Sequence, residues 1–263
     1  MKNLYKTAVN IRKNILAIAN SSKGPHTGTA LSCADILTAL YFDVLNISDR
    51  PDRDIFIMSK GHGAMALYAV LYEKGFLTQE ELHSYYQNDG ALPAHLDKET
   101  NKMIEVSSGS LGHGLPIGLG YALSMKKSGS ASRVVVLMGD GEVQEGSVWE
   151  AAMLAPKLGL NNITAIIDRN NLQGYGRPSE LVAIESLDEK FRAFGWETKR
   201  VSGHNFEQMT KAFVNESDKP LAVICDTVKG KGVSFMEDEM KWHYFIVTDE
   251  HLALGTKELE ASL

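Results

Sequence analysis

The chain has 263 residues, of which 44% are hydrophobic and 23% charged, a composition typical of a globular protein with a full core. Its formal net charge of −6 argues against a nucleic-acid-binding surface, because phosphate backbones are bound by clustered cations. No apolar run approaches the roughly 18 to 20 residues of a membrane span, and the N-terminal pattern is helical rather than that of a signal peptide. We therefore expect a cytoplasmic protein that binds neither nucleic acid nor membranes.

The first elements in the chain are predicted to be helices. Apolar residues at positions 4, 8, 9, 11, 15, 16, 18 and 19 recur at helical spacing, and the pattern ends near residues 21–25. Further helices are predicted over residues 32–43, 64–74, 114–127, 147–158, 187–194 and 249–260. Cys33 and Cys225 lie far apart in apolar surroundings, so we expect buried thiols rather than a disulfide or a metal site.

Four short apolar runs alternate with the later helical patterns, and each ends in a polar, mostly glycine-containing segment. They are DIFIMSKGHG (54–63), RVVVLMGDGE (133–142), NITAIIDRNN (162–171) and PLAVICDTVKGKG (220–232). Continuous apolarity indicates strands buried on both faces, which is typical of parallel sheets. The sequence therefore predicts an α/β fold with a doubly wound, mainly parallel sheet flanked by helices. We expect one domain over residues 1–240 and a C-terminal extension over residues 241–263, where the chain becomes charged and less regular.

The polar segments should meet at one edge of this sheet, because ligands of doubly wound folds bind beyond the carboxyl ends of the strands. Asp140 lies between Gly139 and Gly141, where the bare backbone can approach an anion and the carboxylate can ligate Mg²⁺ or Ca²⁺. Asn170 follows the next strand and offers an amide oxygen. Either motif alone could be an ordinary turn or loop, but the pair on consecutive strands predicts a divalent-metal site that also holds phosphate oxygens.

Two other phosphate-binding folds fit less well. The glycines of residues 139–146 read G-x-G-x4-G rather than the G-x-G-x-x-G of a nicotinamide dinucleotide fold, in which Asp168 would bind the ribose. Asp140 between the first two glycines would repel a pyrophosphate unless a metal lay between them. The sequence contains no Walker A motif. These features favour a metal-bridged diphosphate.

The motifs resemble those of a known family. GDGEVQEG followed by IDRNN resembles the thiamine diphosphate fingerprint, in which GDG precedes N or NN by about thirty residues. From about residue 10 to 247 the chain resembles the transketolase family, in segments that share that family's order: PHTGTALSCADIL, SKGHGAMALYAVLYEKGF, PAHLD, SSGSLGHGLPIGLGYAL, GDGEVQEGSVWEAAM, IDRNNLQ and KGKGVSFMEDEMKWH. Because the chain is less than half of a full-length transketolase, it is similar to the N-terminal subunit of a split transketolase.

The resemblance implies a cofactor site for thiamine diphosphate and Mg²⁺, for which Ca²⁺ or Mn²⁺ could substitute. The implied metal ligands are Asp140, the Asn170 side chain and the Leu172 carbonyl. The implied diphosphate contacts are Gly139, Gly141, His62 and His243, with Lys229 beside them. Gly109 and Leu111 would support the cofactor rings.

Histidines form the implied catalytic set. The resemblance implies that His26, His62 and His95 point into the substrate channel, where imidazoles can exchange protons with sugar hydroxyls. It also implies that His243 lies beside the diphosphate. It sets Lys60 at the channel edge and Glu145 at a subunit interface. His83, His204 and His251 match no motif, so we expect them to be surface or satisfied core residues.

Three positions depart from the family pattern. Residues 24–28 read Gly-Pro-His-Thr-Gly where Ser-Gly-His-Pro-Gly is usual, so Pro25 is unusual. Tyr244 stands where glycine is usual, and His113 where glutamine is common. The changes at Pro25 and Tyr244 could alter which sugar is accepted, but they leave Asp140 and Asn170 intact.

The resemblance implies transfer of a two-carbon ketol unit from a ketose (phosphate) to an aldose (phosphate). It also implies a C-terminal partner subunit in an α2β2 assembly, since the glutamate that assists cofactor activation and the sugar-phosphate contacts belong to the other half. Glu142 and Glu145 are not substitutes for that glutamate, because the motif places them on the diphosphate side. The chain alone should bind cofactor weakly, and the segments IGLGYAL and SVWEAAML should form the interface because they are apolar.

Two alternatives remain open at this point. The first is a related thiamine diphosphate enzyme, such as a deoxyxylulose-phosphate synthase or dihydroxyacetone synthase relative, or a pair recruited to a specialised sugar pathway. The second is a non-catalytic regulatory paralogue. The intact residues Asp140, Asn170, His62 and His243 argue against the second alternative.

Overall fold

A five-stranded parallel sheet lies at the centre of the protein, in a computed structural model that describes residues 2–48, 50 and 52–263. The strands are β1 (Ile55–Met58), β2 (Val134–Gly139), β3 (Ile163–Arg169), β4 (Glu197–Ser202) and β5 (Leu221–Asp226). They pair in the order β1-β2-β3-β5-β4, and every pairing is parallel. The predicted doubly wound α/β class is confirmed.

Helices cover both faces of this sheet. They are α1 (Lys2–Ser22), α2 (Thr27–Ser32), α3 (Ala34–Ala39), α4 (Ala64–Glu73), α5 (Gln79–His83), α6 (Gly114–Ser128), α7 (Gly146–Lys157), α8 (Pro178–Leu181), α9 (Leu187–Ala193), α10 (Phe206–Ala212) and α11 (Asp249–Ala261). A π-helical segment spans Leu40–Val44, and short 3₁₀ turns span Gly61–Gly63, Glu142–Gln144 and Met240–His243. Within the described ranges, the helices all lack the length and apolarity that a membrane crossing requires.

Successive side chains of the strands point to opposite faces of the sheet and belong to two hydrophobic cores. Phe56, Val135 and Leu137 face the core that contains α1 to α4, whereas Ile57 and Val136 face the core that contains α6, α7 and α9. Because helices cover both faces of the sheet, the sequences of the central strands are continuously apolar and do not alternate between apolar and polar residues. Cys33 and Cys225 are free and buried, as expected.

The strand register aligns the carboxyl ends of the strands. Gly139 at the end of β2 pairs with Asp168 near the end of β3, and Asp168 pairs with Cys225 of β5. The segments that follow these strands therefore leave the sheet at the same edge. This alignment brings Asp140, Asn170 and Lys229 together although they are distant in sequence.

The sequence did not predict strand β4. Its sequence, ETKRVS, has no apolar run, and its residues are half-buried or exposed. β4 is an edge strand that pairs only with β5, so it can carry charged side chains such as Arg200, whose Nε donates to Asp226 Oδ2 at 2.8 Å. The short helices α5, α8 and α10 were also not predicted.

The predicted helix over residues 32–43 is wrong in its bounds. The helical chain begins earlier, at Thr27, after His26 adopts a left-handed conformation with φ of 74°. It is interrupted at Cys33 and ends in the π-helical segment Leu40–Val44. The hydrophobic pattern continues through these changes of backbone, which explains why periodicity alone did not separate them.

The two apolar segments predicted to form an interface, residues 117–123 and 147–154, are buried against the sheet only in part. Leu119 and Ala122 of α6 and Ala152 of α7 belong to the core. The apolar side chains that remain exposed on these helices are Ile117, Met153 and Leu154, at 38%, 53% and 46%. Apolar side chains of α6 and α7 therefore remain exposed, and the interface stays a prediction.

Helix α6 depends on a close approach to β2 at Gly118. A Cβ added there would lie 2.7 Å from Val136 Cγ2, whereas a Cβ added at Gly120 of the same helix would meet nothing within 4 Å. We expect Gly118→Ala to lower the free energy of unfolding by about 1–3 kcal/mol through overpacking. Gly120→Ala should raise it by about 0.5–1 kcal/mol, since alanine favours helix. Urea unfolding of both variants tests this, and equal effects of the two would contradict it.

Candidate active site

A cavity of about 470 Å³ opens where β1, β2, β3 and β5 end. Its lining includes every residue that the sequence predicted to contact cofactor, metal or substrate: His26, His62, His95, Gly109, Leu111, Gly139, Asp140, Gly141, Asn170, Leu172, Lys229 and His243. Glu145, predicted for a subunit interface, also lies in its wall. The fold thus collects side chains from separate segments of the chain around one space.

A fully buried ion pair supports the floor of this cavity. The Lys60 ammonium, which follows β1, pairs with the Asp168 carboxylate of β3. Asp168 also accepts hydrogen bonds from Ser32 Oγ at 2.6 Å and from the Thr227 hydroxyl. Burial alone would raise the pKa of Asp168, but Lys60 and these hydroxyls lower it overall. Lys60 therefore lies beneath the site and not at the edge of a channel.

Asp140 is a buried carboxylate whose hydrogen-bond partners are backbone N–H groups. Gly141 N donates to Oδ1 at 2.8 Å and Asn171 N donates to Oδ2 at 2.6 Å. Burial and then the negative charge of Asp168 raise the pKa of Asp140 to about 6. A bound cation would compensate this charge.

The segment after β3 supplies further oxygen atoms beside Asp140. Asn171 turns the chain with φ of 57°, a left-handed conformation that asparagine tolerates. Asn170 Oδ1 accepts from Leu172 N at 3.1 Å, so the amide oxygen is held in place by its own loop. The Leu172 carbonyl accepts from Lys229 Nζ at 2.9 Å. A carboxylate, an amide oxygen and a carbonyl thus meet here.

This donor set fits a divalent cation that shares its coordination with phosphate. Hard oxygen ligands suit Mg²⁺, which is commonly held by one or two carboxylates together with substrate phosphates. A Cβ added at Gly139 would meet only the Lys60 side chain at 4.0 Å, so the space beside the backbone is open for a ligand. Among the described residues, no cluster of three or more His, Cys, Asp or Glu could hold a metal by itself. Phosphate oxygens or water molecules would complete the coordination.

Glu142 holds two glycine-containing segments in place, a function that the sequence did not reveal. Its carboxylate accepts from Gly139 N at 3.1 Å, from Gly112 N at 2.9 Å and from the Ser59 hydroxyl. Burial raises its pKa. Glu142 therefore links the end of β2 to residues 109–112, where Gly109 has φ of 155° and faces the His95 ring.

Four histidines cluster in the wall of the cavity. The His26 ring lies 5.0 Å from His243, 5.4 Å from His62 and 6.1 Å from His95, between ring centroids. The backbone N–H of His26 donates to the backbone carbonyl of His243 at 2.9 Å, and this bond joins the start of α2 to the 3₁₀ turn Met240–His243. Burial, followed by His95 and Lys229, lowers the pKa of His26 to about 4.

The half-buried imidazoles of His62 and His243 are also held neutral. Burial and then Lys60 lower the pKa of His62 well below its usual value. Burial and then Lys229 lower the pKa of His243 to about 3. At neutral pH, His26, His62 and His243 can therefore each present one N–H donor and one acceptor.

Tyr244 projects at the mouth of the cavity. Its ring lies 4.5 Å from that of His243 and 6.2 Å from that of His26, and 54% of the residue is exposed. The exposed residue Tyr175 lines the cavity beside it. Of the other unusual positions, His113 is exposed and its Nδ1 lies 3.0 Å from the Leu111 carbonyl. Neither His113 nor Pro25 lines the cavity.

Comparisons with known proteins agree with this geometry. Residues 5–259 match the family described as the transketolase, thiamine diphosphate binding domain. The chain is 41% identical to one subunit of the apulose-4-phosphate transketolase of Actinobacillus succinogenes, over 98% of this chain and 96% of that protein. It is 36% identical to a 6-deoxy-6-sulfo-D-fructose transketolase subunit of a Clostridium species, over 89% of this chain and 88% of that protein.

A solved structure shows the same fold. The chain superimposes on the transketolase of Campylobacter jejuni with a TM-score of 0.93 and 28% identity. The superposition covers 99% of this chain but only 43% of that one. The present chain thus spans less than half of the length of that transketolase.

We expect Lys60→Met to lower the free energy of unfolding by about 3–5 kcal/mol, because it leaves the buried Asp168 carboxylate without its cation. Lys127→Met, at an exposed position of α6, should change it by less than about 0.5 kcal/mol. Urea unfolding measures both variants. Equal stabilities of the two would show that the ion pair does not support the site.

We expect the Asp140 carboxyl group to ionise near pH 6 in the metal-free chain. Because Mg²⁺ binds only the ionised form, Mg²⁺ with thiamine diphosphate should lower this pKa by about 1–3 pH units. Metal affinity should accordingly be highest above pH 6 and decrease as the pH falls below it. Carboxyl NMR of ¹³C-labelled aspartate measures the pKa, with Asp140→Asn to assign the signal, and ionisation near pH 4 without metal would refute the expectation.

Proposed function

We propose that this chain, which belongs to the transketolase family as its thiamine diphosphate-binding domain, is the cofactor-binding subunit of a two-subunit transketolase. The observation that carries the proposal is the single cavity in which Asp140, Asn170 and the Leu172 carbonyl face the histidine cluster. Relatives of nearly the same length are named as transketolase subunits, which supports the division of the enzyme between two chains.

In this proposal the carboxyl edge of the sheet holds the diphosphate end of the cofactor. Asp140, Asn170 and the Leu172 carbonyl ligate Mg²⁺, or Ca²⁺ or Mn²⁺ in its place. The backbone at Gly139 and Gly141, together with His62, His243 and Lys229, contacts the diphosphate, while Gly109 and Leu111 support the rings. When bound, thiamine diphosphate supplies the nucleophilic carbon and the electron sink for cleavage of a ketose C2–C3 bond.

The histidines transfer protons to and from the substrate in the proposed reaction. His26, His62 and His95, which line the cavity with His243, would face the sugar. The neutral imidazoles of His26 and His62 can accept a proton from one sugar hydroxyl and donate to another without first losing a charge. Burial is the main cause of their low pKa values.

The remaining contacts are proposed to come from a separate C-terminal subunit in a cytoplasmic α2β2 complex. The exposed apolar side chains of Ile117, Met153 and Leu154 lie on the proposed contact helices α6 and α7. Residues 1–240 would form the cofactor domain, and the extension of residues 241–263 would add His243 to the site. In the extension, α11 packs on α1, where Leu16 lies 2.8 Å from the position of a Cβ at Gly255 and Lys13 Nζ lies 2.5 Å from Glu260 Oε1.

The proposed substrates are a ketose phosphate donor and an aldose phosphate acceptor, between which a two-carbon ketol unit is transferred. Apulose 4-phosphate is the first donor to test, because relatives at 41% and 40% identity are named for it. Tyr244 and Tyr175 narrow the mouth of the cavity, so they are positioned to affect which sugar enters.

Reconstitution with the C-terminal subunit tests the proposal. We expect ketol transfer only when both chains are present with Mg²⁺ and thiamine diphosphate. Asp140→Ala should weaken calorimetrically measured cofactor binding by at least about 100-fold, since a charged metal ligand is lost. Asp218→Ala, at an exposed position remote from the cavity lining, serves as the matched control and should bind normally. Absence of binding by the unsubstituted complex would instead support a non-catalytic subunit.

A further inference from the structure

A hydrogen-bond network outside the cavity lining was not indicated by any motif. Arg12 of α1 donates two hydrogen bonds to the Asp35 carboxylate of α3, from Nη1 to Oδ1 at 2.7 Å and from Nη2 to Oδ2 at 2.8 Å. Both side chains are less than one-tenth exposed. Such a paired, bidentate contact fixes the position of Asp35 within the core. Asp35 Oδ2 also forms a hydrogen bond with His204, whose Nδ1 lies 2.8 Å away.

The two ring nitrogens of His204 have opposite functions. Val228 N lies 2.9 Å from Nε2, and a backbone N–H can only donate, so Nε2 is the acceptor. The proton of the neutral ring is then on Nδ1, where it is donated to Asp35. His204 therefore connects a fixed carboxylate to one particular backbone amide.

That amide belongs to the residue before Lys229. Two residues after Lys229, the Lys231 carbonyl accepts from Arg12 Nε at 2.8 Å. The same network thus holds the backbone on both sides of Lys229, through His204 at Val228 and through Arg12 at Lys231.

Lys229 requires such support because its side chain is confined. Its ammonium lies 2.9 Å from the Leu172 carbonyl and 3.0 Å from His243 Nδ1, and the side chain is buried. A small displacement of the backbone would move the ammonium away from both partners. Burial and then Lys60 lower the pKa of Lys229 to about 8.

We propose that His204 is a positioning residue that, through the Val228 amide, fixes the Lys229 ammonium against the diphosphate side of the cavity. His204 makes no contact with the cavity, so it acts through the backbone and not on the ligand. This inference rests on the proposed thiamine diphosphate site. It adds to that site a supporting element from the turn between β4 and α10, more than twenty residues away in sequence.

A double-mutant cycle on the assembled two-subunit complex tests the inference. We expect His204→Phe, which keeps a ring but loses both hydrogen bonds, to weaken thiamine diphosphate binding about tenfold at saturating Mg²⁺. Lys229→Met should weaken it by a similar or larger factor. Adding His204→Phe to Lys229→Met should then change the affinity by less than about twofold, because the residue it positions is gone.

A merely structural function of His204 would give a different pattern. Its substitution would then reduce cofactor affinity by the same factor in both backgrounds, and such additivity would overturn the inference. His204→Gln keeps one donor and one acceptor and should recover part of the affinity. His83→Phe, at an exposed histidine of α5, is the matched control and should bind as the unsubstituted complex does.

The single variants separate failure of the inference from failure of the proposed function. If Lys229→Met binds thiamine diphosphate normally, the proposed contact of Lys229 with the diphosphate is wrong. If Lys229→Met is impaired and His204→Phe is not, only the inference about His204 fails.

Hydrogen exchange on the isolated chain gives a second readout that needs no cofactor. His204→Phe should accelerate exchange of the Val228 amide by about tenfold, since its acceptor is lost. The amide of Ile224, within β5, should exchange at an unchanged rate. Acceleration at both amides would indicate general destabilisation and would contradict the positioning role.

Discussion

The ion pair between Lys60 and Asp168 is the constraint on which the rest of the site depends. Removing two charges from water is costly, and the cost is offset only when geometry and additional hydrogen bonds are favourable. Here Ser32 and Thr227 supply those hydrogen bonds. Through Lys60 and Thr227, Asp168 connects the end of β3 to the segments that follow β1 and β5. These contacts fix the positions of the polar residues that line the cavity.

The same pair also determines the charge of the cavity. Because Lys60 pairs with Asp168, it offsets the negative charge of the neighbouring Asp140 only in part, and burial and Asp168 raise the pKa of that carboxyl overall. Lys229 is close by but is directed to the Leu172 carbonyl and His243. A protein that was selected only for stability would have little reason to bury Asp140 in this way. The arrangement is understandable if a divalent cation provides the missing positive charge.

The sequence predicted the parts of the fold that follow from simple periodicity. Buried parallel strands produce continuous apolar runs, and their carboxyl ends must meet, so Asp140, Asn170 and Lys229 could be assigned to one edge without a structure. Strand β4 could not be found in this way, because an edge strand needs no apolar run. The contacts of Glu142 and His204 were also not predictable, since they join backbone groups that only the folded chain brings near. Their sequence neighbourhoods contain no spacing that signals such contacts.

The position of β5 has a consequence for how the molecule is made. β5 is the last strand in sequence, yet it is inserted between β3 and β4. While a ribosome synthesises the chain, β3 can pair with β2, but its other edge has no partner until residues 221–226 have emerged. An unpaired apolar edge is prone to aggregation, and non-local parallel pairing is slow to form. The nascent chain therefore passes through a stage that chaperones or slow translation would protect, and Lys229, which follows β5, is among the last residues of the cavity to be placed.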